Sequence, residues 1–128
     1  MAYKGNITIP AGVNVWPHEL RTAQALASAG YDVAFVARRE GEYQRTADLM
    51  IGGRTWEMKA PRSGSVKAVE RNLKRARWQS PRIVLDSRRM KGLPDHAVER
   101  ALRKWSREVK GIERVLFVNR RGDVIDIT

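Results

Sequence analysis

Apolar residues recur at two different spacings along this chain, and the switches between them lay out its elements. From Pro17 to Ala29, the residues Leu20, Ala23, Leu26 and Ala27 return at helical intervals and form one stripe. Proline at the first helical position and Gly30 after the last predict a helix over that span. Glu19 falls one turn before Ala23, at the edge of the stripe rather than on the solvated side. Tyr31 to Ala37, dense in β-formers, reads as a strand. A charged segment, Arg38 to Arg45, follows it. Two short strands, Ala47 to Ile51 and Arg54 to Ala60, then flank Gly52-Gly53, a pair whose tolerance of positive φ suits a two-residue hairpin turn. Val66, Val69, Leu73 and Ala76 predict a second helix, Val66 to Trp78, with Ser63 or Ser65 as its cap.

After Pro81 comes a strand, Arg82 to Leu85. A third helix begins near Pro94, with Val98, Ala101, Leu102, Trp105 and Val109 inward and Gly111 as its stop. Arg114 to Val118 and Val124 to Ile127 form a closing hairpin turned at Arg121-Gly122. Residues 1–16 read as a loosely ordered arm with a short strand near Ile7 and Ile9, and 17–128 as the domain proper. The succession of helix, three strands, helix, strand, helix and closing hairpin describes one α/β domain built on a mixed sheet. A chain of 128 residues is the size of one domain, and no repeat or linker argues for a second.

Composition narrows the classes. Hydrophobic content of 42% with 30% charged residues belongs to a folded chain. The absence of cysteine excludes disulfides, zinc ribbons and thiol chemistry. No apolar run approaches the roughly 20 residues of a membrane span, and the N-terminus lacks a secretory pattern. The formal charge of +11 changes the picture more, because such a surface attracts polyanions, nucleic acid first and anionic membrane second. It is also unevenly placed: between Lys59 and Lys91 eleven basic residues face only Glu70 and Asp86. Arg62, Lys67, Arg71, Lys74, Arg75 and Arg77, with Trp78 as a base-stacking platform, are the expected nucleic-acid contacts.

The hairpin register supplies the chemistry. With Gly52 and Gly53 in the turn, Leu49 faces Trp56 and Asp48 faces Glu57. Lys59 points to the same side as Glu57, and Leu49, Ile51, Trp56 and Met58 make the other face apolar. Two carboxylates opposed across a ladder repel, so a divalent cation or the Lys59 ammonium must offset them. Hard oxygen ligands suit Mg²⁺ or Mn²⁺, with the Met58 backbone carbonyl as a further ligand and Glu19 completing the set if the first helical turn packs beside the hairpin. Such a metal polarises a phosphoryl oxygen and acidifies bound water, and Lys59 can orient that water or stabilise developing charge. Glu40 or Glu42 is the alternative third carboxylate, and His18 a possible base. Asp32 and Asp86 read as turn or edge residues.

Glu19, Asp48 and Glu57-Met58-Lys59 together resemble the Glu…Asp…Glu-x-Lys signature of the PD-(D/E)xK nuclease superfamily, with Ala47 in place of its proline. A narrower resemblance rests on Thr46-Ala-Asp-Leu, Trp56-Glu-Met-Lys-Ala-Pro, the helix Val69-Glu-Arg-Asn-Leu-Lys-Arg-Ala, Arg82-Ile-Val-Leu-Asp86 and the closing hairpin. Over residues 17 to 127 the chain is similar to the C-terminal nuclease domains of contact-dependent growth inhibition toxins. That resemblance implies a metal-dependent endonuclease acting on RNA, with tRNA as first-choice substrate. It also implies action in the cytoplasm of a target cell and a cognate immunity protein as partner. The residues alone leave open a DNA endonuclease of the same fold, junction-resolving or restriction-like. They equally leave open a non-catalytic basic module that binds nucleic acid or an acidic protein.

Overall fold

The structure is a computed structural model and describes residues 4–36 and 49–128. Its elements run β1 (Ile7–Thr8), α1 (Pro17–Ser28), β2 (Val33–Phe35), β3 (Leu49–Ile51), β4 (Arg54–Lys59), α2 (Val66–Ala76), β5 (Arg82–Asp86), α3 (Asp95–Glu108), β6 (Arg114–Val118) and β7 (Val124–Asp126). The strands form one sheet in the order of the sequence. β1 and β2 are parallel, β2, β3 and β4 antiparallel, β4, β5 and β6 parallel, and β7 returns antiparallel to β6. The chain is thus a single α/β domain with a mixed sheet.

The β3–β4 turn follows from its glycines. Gly52 and Gly53 both adopt positive φ, 60° and 78°, as a two-residue hairpin turn demands. Leu49 pairs with Trp56, Met50 with Thr55 and Ile51 with Arg54, in the expected register.

Two crossovers, through α2 and α3, join the three parallel strands and lie over one face of the sheet. There Leu73 and Leu102 meet Ile83, Leu85 and Phe117. α1 covers the other face, where Leu26 packs with Leu49, Trp56, Met58, Val84 and Leu116. Because side chains alternate along a strand, Glu57 and Lys59 share the α2 side with their neighbours Ile83 and Leu85.

The short strand expected near Ile7 is present as β1 and pairs with β2: the Val33 amide donates to Asn6 O at 2.8 Å, and the Asn6 amide to the Asp32 carboxylate at 2.8 Å. Two expectations are corrected. The second helix ends at Ala76, before Trp78. Trp105 is only half-buried, with the ammonium groups of Lys74 and Lys104 over its ring at 5.4 and 4.7 Å.

The loop after β4 is fastened to the loop after β5 at Gly64, where a Cβ would stand 1.9 Å from the carbonyl oxygen of Lys91. That neighbour is backbone and cannot swing aside. Gly64→Ala is therefore expected to cost about 2 kcal/mol and roughly 5–10 °C in Tm, measurable by thermal denaturation.

Candidate functional site

The first turn of α1 meets the carboxyl ends of β4 and β5, the end of a parallel sheet where ligands commonly bind. Pro17 opens the helix and Trp16 precedes it in extended conformation. Trp16 has no side-chain acceptor for the helix amides. The Glu19 carboxylate reaches back and accepts the Trp16 amide at 2.9 Å, which is half of a capping box. Glu19 is 5% exposed, on the same helix face as the buried Thr22 and Ala23.

Glu57 is 2% exposed. The Lys59 ammonium stands 4.0 Å from its Oε1, with a quarter of the lysine side chain open to solvent. That is ion-pair distance and longer than a hydrogen bond, so the ammonium keeps donors for a third group. Met58, between them, buries its side chain under α1. Asp48 lies outside the described residues, as do Glu40 and Glu42. Among the described residues no three His, Asp or Glu side chains gather closely enough to hold a metal ion.

Glu19 comes from the helix on the opposite face. Its neighbour His18 lines one cleft with Ala60, the residue after β4. The imidazole of His18 is held below its ordinary pKa, first by burial and then by Arg89, with Glu19 opposing. It is therefore neutral at pH 7.

The basic helix α2 starts at the same end of the sheet and runs away from it. Arg62 and Lys67 stand exposed near its start. Its 11 residues carry the chain roughly 16 Å. Arg71, Lys74 and Arg75 are exposed along it, with Lys74 donating to Glu70 at 2.6 Å. Arg77 stacks over the exposed Trp78 at 4.6 Å, at the far end from Lys59.

One feature eluded sequence reasoning. Asp86 is not an edge residue: it is 4% exposed and central to a polar network. Thr22 Oγ1 donates to its Oδ2 at 2.6 Å, and Arg88 donates from Nη2 to Oδ2 at 2.7 Å and from Nε to Oδ1 at 3.1 Å. The available sequence signal was a carboxylate ending an apolar strand, two residues before an arginine.

With this geometry in place, two comparisons place the chain among known proteins. Residues 45–124 match the family model described as the contact-dependent growth inhibition CdiA C-terminal domain. Among solved structures the fold is similar to one described as the CdiA-CT/CdiI toxin and immunity complex from Burkholderia pseudomallei. The TM-score is 0.68 at 19% sequence identity, over 93% of this chain and 97% of that one. No curated protein matches the sequence. Among the described residues no helix is long and apolar enough to cross a membrane.

Proposed function

Since this chain belongs to the contact-dependent growth inhibition CdiA C-terminal domain family, we propose that it is a toxin module whose activity is metal-dependent cleavage of RNA, with tRNA as first-choice substrate. The fold is read as the PD-(D/E)xK nuclease type, with 17–128 as the catalytic unit. The observation that carries the reading is the pairing of a buried carboxylate, Glu57, with the partly exposed Lys59 on one face of β4, at the end of a sheet edged by arginines and lysines.

Asp48, Glu57 and Glu19, with the Met58 carbonyl, would hold Mg²⁺ or Mn²⁺, ions that favour hard oxygen donors. When bound, the metal supplies Lewis acidity and a more acidic water. Lys59 supplies a positive charge beside the scissile phosphate. Arg62, Lys67, Arg71, Lys74, Arg75 and Arg77, with Trp78, carry the RNA backbone and bases along α2, the residues nearest β4 closest to the chemistry. The neighbouring fold was solved as a toxin and immunity complex. An immunity protein is accordingly the partner proposed here, and the cytoplasm of a target cell the place of action.

Incubation with tRNA and with duplex DNA, each with Mg²⁺ and with chelator, tests the activity. Cleavage of tRNA alone, abolished by the chelator, is expected. Preferential cutting of DNA would turn the reading to a DNA endonuclease. Binding without cutting would make the chain a nucleic-acid-binding module.

Glu19 carries a separate prediction, because glutamine keeps an oxygen to accept the Trp16 amide. Glu19→Gln is expected to preserve Tm within about 2 °C and to lower cleavage by roughly tenfold to a hundredfold. Undiminished turnover would reduce Glu19 to a helix cap.

A further inference from the structure

The cleft between α1 and the ends of β4 and β5 encloses about 90 Å³ and is lined by His18, Arg21, Ala60, Asp86, Arg88 and Arg89. That is far smaller than the roughly 300–1,000 Å³ of sites that enclose a drug-sized molecule. Its chemistry is lopsided. Among the described residues three guanidinium groups face one carboxylate, and that carboxylate is committed. Asp86 accepts from Thr22, from the Arg88 backbone amide at 3.0 Å and from the Arg88 side chain through Nε and Nη2.

Asp86 therefore fixes Arg88 and leaves the charge of Arg21 and Arg89 standing. Among the described residues neither Arg21 nor Arg89 has a hydrogen-bond or ion-pair partner. Gathering like charges around one cleft is unfavourable unless an anion completes the set. Guanidinium groups held in a fixed orientation match tetrahedral oxyanions, because their planar forks present paired donors.

We propose that this cleft is a phosphate site. Arg88, oriented by Asp86 and Thr22, acts there with Arg21 and Arg89 to hold a backbone phosphate of the nucleic-acid strand that Glu57 and Lys59 act upon. The assignment rests on the nuclease reading above and adds to it the path of the strand. Ala60 lines the cleft and directly follows Lys59, but the two residues point to opposite faces. The strand accordingly passes over the carboxyl end of β4, from the α2 side at Lys59 to the α1 side at Arg88. Phosphate contacts of this kind fix register and carry no base preference.

The test compares the full chain with the double variant Arg21→Ala/Arg89→Ala and with Arg107→Ala on α3, in chelator so that nothing is cut. Affinity for a mixed tRNA pool is measured across a salt series. The double variant is expected to bind at least about tenfold more weakly. The slope of log affinity against log salt should become shallower by roughly 0.7 for one lost single-strand phosphate contact. Arg107→Ala should match the parent.

A double variant equal to the parent, in a protein whose cleavage still requires Glu57, overturns the phosphate site and leaves the nuclease reading standing. A second arm titrates inorganic phosphate against the side-chain Nε–H signals of Arg88 and Arg89 by NMR. Shifts confined to these arginines support the site. No shift overturns it whatever the enzyme does. Shifts with phosphate but no binding of nucleic acid overturn the assignment to a backbone phosphate together with the nuclease reading.

Discussion

Glu57→Gln is expected to lower RNA cleavage by at least about a thousandfold while the protein stays folded. The substitution keeps the volume of a side chain that is 2% exposed and removes its charge. Metal stabilisation of charge in a phosphoryl transition state is worth several kcal/mol, and each 1.4 kcal/mol is tenfold in rate. An amide oxygen is a poorer partner for Mg²⁺ than a carboxylate. It also leaves the ammonium of Lys59, 4.0 Å from Oε1 in the parent, without its neighbouring negative charge. Turnover at saturating Mg²⁺ and thermal melting should be measured on the same preparation. Cleavage within tenfold of the parent would remove Glu57 from the chemistry. A loss of activity matched by a large fall in Tm would assign the effect to folding.

The part of this site that could be read from the sequence was the part built by local rules. Gly52-Gly53 fixes a two-residue turn, the turn fixes the register, and the register puts Leu49 opposite Trp56 and an apolar face under α1. Pro17 likewise announces the start of α1. What escaped depends on residues distant in the chain. Thr22 and Asp86 lie 64 residues apart, and only the packing of α1 across β5 joins them. Arg88 and Arg89 registered as part of a charge excess, because composition counts a guanidinium without saying where its donors point. Trp78 was read as a stacking platform from its place next to basic residues, and the sequence alone did not show that α2 carries it a helix length from Lys59.

Phe117→Ala is expected to give the largest loss of stability, about 3–5 kcal/mol. Phe117 is the largest fully buried side chain among the described residues. It sits on β6 between Leu85 of β5 and Ile125 of β7, facing Leu73 and Leu102 beneath α2 and α3. Strands held by ladders on both sides and covered by two helices have little freedom to close a void, so the cavity cost adds to the lost transfer energy. Domains of this size are stable by roughly 5–15 kcal/mol, and the variant should therefore keep a folded majority at low temperature while losing roughly 10–20 °C in Tm. Urea titration should lower the midpoint with the slope unchanged, since the surface exposed on unfolding hardly differs. Its rate of RNA cleavage at 10 °C should stay close to the parent's, because Glu57, Lys59 and the arginines of the cleft keep their supports. Glu57→Gln should show the reverse, with stability held and turnover gone. If Phe117→Ala melted with the parent, α2 and α3 would not be packed on β6 as the buried cluster requires. If it lost cleavage while still folded at 10 °C, the site and the core would be coupled more tightly than their separate contacts indicate.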